Sequence, residues 1–129
     1  MAGIKRINAV FIYVSDMEKE RRFYEEILGL GKPVVETDLW VEYELTGSNL
    51  ALHQGDARIL EQQDASRNTV KFSLEVDDLE GFCRDLKERG VSLTFGPRKD
   101  FGSFLAECRD PEGNLIRLIE FSGGVSSHG

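Results

Sequence analysis

The feature that most constrains this chain is that it says the same thing twice. Val14, Asp16, Glu18, Arg22 and Glu26 recur as Val76, Asp78, Glu80, Arg84 and Glu88, each pair 62 positions apart. An internal period of this kind outranks local propensity, because a repeated segment repeats its order of elements as well. In the first copy, Ile7 to Val14 is an apolar, β-rich run, and Ser15 with Glu18 has capping-box spacing for a helix that follows. Phe23, Tyr24, Ile27 and Leu28 share one helical face, and Gly29 or Gly31 can end the helix. Val34-Val35, Leu39 to Leu45 and Asn49 to His53 then read as three short strands separated by turns. The order is βαβββ.

The second copy has the same order. Thr69 to Val76 is a strand, Asp77 and Glu80 repeat the capping-box spacing, and Leu79, Phe82, Cys83 and Leu86 form a stripe ended by Gly90. Strands follow near Ser92 to Phe95, Phe104 to Cys108 and Leu115 to Phe121, the last entered by the turn Asp110-Pro111-Glu112-Gly113-Asn114. The expected fold class is α+β, and the expected organisation is one domain over 1–129. It consists of a βαβββ module over 5–56, a polar linker over 57–68, a second module over 69–122 and a Gly/Ser-rich tail over 123–129 that holds His128.

Charge and cysteine content narrow the function. The formal net charge of −7 is the reverse of a nucleic-acid-binding footprint, so a small molecule or a protein is the expected partner. No apolar run approaches the roughly 20 residues a membrane helix needs, and Met1 to Asn8 lacks the apolar core of a secretory signal. Cys83 and Cys108 form neither a disulfide framework nor a Cys-x-x-Cys pair, which together with the missing signal leads to an expected cytoplasmic location.

Val14-Ser15-Asp16 ahead of Phe23-Tyr24-Glu25-Glu26-Ile27-Leu28-Gly29, and Asp110-Pro111-Glu112-Gly113-Asn114-Leu115-Ile116 ahead of a last strand, strongly resemble the vicinal oxygen chelate superfamily. That group includes glyoxalase, bleomycin-resistance and fosfomycin-resistance proteins and extradiol dioxygenases. The resemblance runs from about Ile7 to Phe121. It implies paired βαβββ modules whose mixed sheets curl into a cup around a ligand, a homodimer, and in the enzymes one divalent metal held by His, Gln or Glu on the first and last strand of each module.

Those four positions fall here on Ala9, Ala51, Lys71 and Arg117. An alanine side chain has no donor atom, and a guanidinium offers no lone pair, so neither metal nor cofactor is expected. Strand alternation puts Val70, Phe72, Leu74 and Val76 on one face and Lys71, Ser73 and Glu75 on the other, the expected ligand face. On the first strand, Ala9, Phe11 and Tyr13 are expected on that face.

The candidate ligand-binding residues are accordingly Lys71, Arg117, Tyr13, Phe11, Trp40 and Ser73, for a ligand that is anionic or aromatic, and no catalytic residue is assigned. Lys71 and Arg117 either hold an anion or pair with Glu75 or another internal carboxylate. Phe101, Phe104 and Tyr43 join the aromatic candidates, while Glu42, Glu44, Glu75, Glu107 and Glu120 read as a solvated face of alternating charges. His53 is a metal ligand only in a shifted register, and both cysteines read as packing residues.

Three functions compete. The first is metal-independent small-molecule binding, which the missing ligands favour. The second is a metal-dependent lyase, isomerase or dioxygenase with a non-standard ligand set. The third is a non-catalytic protein-interaction module.

Overall fold

The computed structural model describes residues 3–56, 72–100 and 102–121. Lys71, Phe101, the expected linker 57–68 and the tail 123–129 lie outside the described residues. The chain divides into two compact units, 1–70 and 71–129.

In the first unit, strand β1 (Ala9–Val14) leads into helix α1 (Met17–Arg22), a π-helical turn (Phe23–Ile27), and strands β2 (Val35–Glu36), β3 (Trp40–Tyr43) and β4 (Asn49–Gln54). The sheet order is β1-β4-β3-β2, with β1 parallel to β4 and the other pairs antiparallel. The second unit holds β5 (Phe72–Glu75), α2 (Leu79–Glu88), β6 (Leu93–Asp100), β7 (Ser103–Arg109) and β8 (Leu115–Phe121). Its order β5-β8-β7-β6 repeats the pattern, again with one parallel pair, β5 with β8. The α+β class and the doubled βαβββ order thus appear as two open four-stranded mixed sheets.

Alternation along the strands explains which face each sheet buries. Ile12 and Val14 are buried while Phe11 is exposed, and on β8 Ile116 and Leu118 are buried while Arg117 points the other way. Leu79, Cys83 and Leu86 carry the α2 stripe into the second core.

Both helix starts differ from the expected capping boxes by one residue. Asp16, not Ser15, caps α1 by accepting from the Lys19 N–H at 3.1 Å, and Asp78, not Asp77, caps α2 by accepting from the Gly81 N–H at 3.1 Å. At α1 a charged carboxylate acceptor thereby replaces the Ser15 hydroxyl at the orphan N–H groups; at α2 both residues are aspartates, and the one adjoining the first turn is the cap.

The end of α1 also departs from simple 3.6 periodicity. The Leu28 N–H donates to the Phe23 carbonyl at 2.8 Å, a five-residue step that puts Phe23 and Leu28 in the core and leaves Ile27 only half-buried. Glu25, on this wider turn, accepts from Arg21 Nε at 2.7 Å and from the Tyr43 hydroxyl at 2.8 Å, while Arg21 also donates to Glu36. The network ties the helix to β3 and β2. Burial, reinforced by the bond to Glu25, pushes the Tyr43 phenol well above its ordinary range.

Strand β6 is an edge strand, and its pairing with β7 is interrupted between Phe95 and Arg98 at Gly96-Pro97. Proline lacks the N–H that would extend the ladder, which explains its place on an edge and at an irregularity. Arg98 stacks on the Phe95 ring, 4.1 Å from its centroid.

Cys83 and Cys108 are both buried, as their reading as packing residues requires. Burial pushes the Cys108 thiol up from about 9 to about 11. The neutral thiol is therefore favoured by folding: its contribution is complete below the ordinary thiol range and is lost as the pH climbs towards about 11. Native protein at pH 8 is expected to resist thiol reagents until denaturant is added, and Cys108→Ala is expected to reduce the fall in stability between pH 9 and 11. Rapid labelling of Cys108 in native protein would contradict this.

Candidate functional site

Each sheet carries polar and aromatic groups on the face away from its helix. In the first unit, the register Phe11–Ala51–Glu42 and Tyr13–His53–Trp40 across β1, β4 and β3 gathers four rings. Tyr13 and His53 have centroids 4.9 Å apart, Phe11 lies 5.3 Å from Trp40, and Trp40 lies 5.5 Å from His53. These spacings are those of rings packed on one another. Phe11, 38% exposed, is the outer member, and Ala51 beneath the group is fully covered.

Beside the rings, Glu42 is buried and accepts from Trp40 Nε1 at 2.8 Å and from Asn49 Nδ2 at 2.6 Å. The expected solvated face of glutamates is corrected here. Glu42 and Glu107 are held by internal partners, and Glu120 accepts from the Leu79 N–H at 2.8 Å to help start α2. Only Glu44 and Glu75 of the five are exposed. Sequence alternation pointed the other way, yet for Glu107 a signal existed: it is the lone charge in the run Phe104 to Cys108, a pattern of strands covered on both faces.

In the second unit a single row crosses all four strands. Ser73 on β5 faces Arg117 on β8, Arg117 faces Glu107 on β7, and Glu107 faces Phe95 on β6, the ring on which Arg98 stacks. Phe72, Ser73, Glu107, Leu115 and Arg117 line a shallow depression of about 200 Å³.

The bonding inside this row is uneven. Thr94 Oγ1 donates to Glu107 Oε1 at 2.8 Å, which fixes that carboxylate. Glu107 Oε2 lies 3.7 Å from Arg117 Nη2, an ion pair too long to be a good hydrogen bond. Arg117 is about half-exposed at 49%, and such a pair contributes at most about 1 kcal/mol. Neither the Arg117 guanidinium nor the Ser73 hydroxyl has a hydrogen-bond partner among the described residues. The internal carboxylate beside Arg117 is Glu107, while Glu75 is two residues further along and faces Ile119.

The six candidate residues are thus distributed as follows. Phe11, Tyr13 and Trp40 meet in the first unit, Ser73 and Arg117 meet in the second, and Lys71 lies outside the described residues. Glu107, Thr94 and the Phe95–Arg98 stack are additions that only strand register brings to the row.

A larger groove of about 870 Å³ lies at the start of α1, lined by residues that include Ser15, Asp16, Arg21, Glu25 and Gln54. Its side chains are already engaged: Asp16 caps the helix, Arg21 binds two glutamates, and Gln54 Nε2 donates to the Ser15 carbonyl at 2.9 Å. The smaller depression is the better candidate because its strongest donor is unspent.

The divalent metal implied by the resemblance does not fit these residues. Of the four positions, Ala9 and Ala51 bring no donor atom and Arg117 brings a cation, and the described residues hold no group of three or more His, Cys, Asp or Glu side chains that could replace them.

Similar proteins have varied activities. The chain is 26% identical to a probable lactoylglutathione lyase of Vibrio parahaemolyticus over 126 residues, 89% of this chain and 90% of the relative. It is 29% identical to the metallothiol transferase FosB of Staphylococcus saprophyticus, over 89% of this chain and 76% of that one. The crystal structure of TnmS3, an antibiotic-binding protein from Streptomyces sp. CB03234, superposes with a TM-score of 0.72 at 25% identity, covering 95% of this chain and 100% of that one. The family model described as Glyoxalase/Bleomycin resistance protein/Dioxygenase superfamily matches residues 6–118, and the chain belongs to that superfamily.

Proposed function

We propose that the protein binds a small molecule without a metal, and that the depression around Arg117 grips a carboxylate or phosphate on it. The observation that carries this reading is the guanidinium of Arg117, which points into a concavity beside the Ser73 hydroxyl with no hydrogen bond to the described residues. Arginine matches the planar fork of a carboxylate or phosphate and stays charged at any working pH. Phe72 and Leu115 supply an apolar wall for the rest of the ligand. The antibiotic-binding neighbour TnmS3 supports small-molecule binding as a use of this fold.

The exposed Phe11, backed by Trp40 and Tyr13, offers the first unit a surface on which a planar group can stack. That surface is a separate element of the proposal.

Titrating small carboxylates and inorganic phosphate against the wild type and Arg117→Ala tests the reading. The variant is expected to bind about 10- to 100-fold more weakly, the range of one charge-assisted bidentate contact. Equal affinities, or no binding by the wild type up to about 10 mM, would remove the anion reading.

A further inference from the structure

We propose that the ligand held by Arg117 is a small acid with a hydrogen-bond donor, an amino or hydroxyl group, on the carbon next to its carboxylate. This inference rests on the anion reading of the depression and names the class of acid.

The argument starts from Glu107. A pocket selective for anions alone would gain from having no carboxylate in its wall, because like charges at such range repel. Here one is held in place, with Oε1 bonded to Thr94 Oγ1 and a side chain only 17% exposed. Its second oxygen, Oε2, takes no hydrogen bond from the described residues and faces the depression's other charged group at 3.7 Å. The acceptor and the guanidinium are too far apart to satisfy each other, yet close enough to be reached by two substituents on neighbouring carbons of one ligand.

The register orders the contacts. Ser73, Arg117 and Glu107 are direct cross-strand neighbours, so their Cα atoms step across the sheet at about 4.8 Å per strand. A carboxylate lying over Arg117 and Ser73 leaves its α-substituent over Glu107 Oε2. An ammonium there completes an ion pair as well as a hydrogen bond, a hydroxyl donates to the carboxylate without a charge of its own, and a bare methylene leaves Oε2 without a donor. Phe72 and Leu115 face the side chain. The roughly 200 Å³ of space suits an acid of a few carbons.

Four probes that share one branched alkyl chain separate the alternatives: leucine, its hydroxy analogue 2-hydroxy-4-methylpentanoate, the plain acid 4-methylpentanoate, and the plain amine 3-methylbutylamine. Calorimetric or NMR titration is expected to rank leucine first and the hydroxy acid second, with leucine about tenfold tighter than the plain acid and the amine weakest. Glu107→Gln keeps the side chain's shape and is expected to erase leucine's advantage over the plain acid, while Arg117→Ala weakens all three acids. If 4-methylpentanoate binds the wild type as tightly as leucine and Arg117→Ala still weakens it, the anion reading stands and this inference is overturned. If no acid binds, or Arg117→Ala changes nothing, both are overturned together.

Discussion

Replacing Gly96 with valine is expected to cost about 4 kcal/mol, enough to leave a domain of ordinary stability largely unfolded under mild denaturant. Gly96 sits at φ +89°, where any residue with a side chain pays roughly 1–2 kcal/mol. The geometry adds a second cost. A Cβ at this position would lie 2.7 Å from Ala106 Cα and 2.9 Å from Ala106 Cβ, and closer still to the Leu105 carbonyl oxygen. Those atoms belong to β7, which is hydrogen-bonded on both sides and has no freedom to retreat. Gly96→Ala should show the same sign with a smaller size. Gly102→Ala is the control, because a Cβ there meets nothing within 4 Å. Urea denaturation midpoints check the series, and a Gly96→Ala midpoint equal to that of the wild type would refute the account.

Asp110→Ala is expected to be nearly as damaging, at about 3 kcal/mol. Asp110 is 4% exposed and organises the turn before β8. Its Oδ1 accepts from the main-chain N–H groups of Glu112 and Asn114, both at 2.9 Å, and its Oδ2 accepts from Asn114 Nδ2 at 2.8 Å. Asn114 is itself buried, so the substitution orphans two donors that water does not reach freely. The effect should extend to binding. Arg117 is the third residue of β8, and loosening the start of that strand loosens the row it shares with Ser73 and Glu107. Thermal unfolding and the anion titration, run on the same preparation, check both consequences. Wild-type stability in Asp110→Ala would rule the account out.

Much of the architecture was legible because it depends on periodicity and turn chemistry, which are local. The last strand runs from Leu115 to Phe121 as its alternation and the preceding Pro111 and Gly113 indicate. The caps were displaced because Ser15/Asp77 and Asp16/Asp78 are pairs with the same 62-residue spacing, so the repeat could not choose between them. The π-helical turn left no periodic trace, because Phe23, Tyr24, Ile27 and Leu28 satisfy a 3.6-residue helix equally well. In the candidate site, Arg117 and Ser73 were legible from strand alternation and from the resemblance. Glu107 and Thr94 were not assigned to it, because which residue faces Arg117 is decided by the pairing of β7 with β8 and β6, and pairing is a tertiary property.

The parallel pairs have a consequence in time. In each sheet the first strand is hydrogen-bonded, among the described strands, only to the last: β1 to β4, and β5 to β8. A chain emerging from the ribosome can zip the antiparallel hairpins within each unit as soon as they are made, but Ala9 must wait for Asn49, and Phe72 for Ile116. The expected slow step of folding in each unit is therefore the closing of that long loop, whose entropy is spent before the parallel ladder returns anything. Until then the hydrogen-bonding edge of the first strand is unpaired, and an unpaired edge is where pairing with another chain competes with folding.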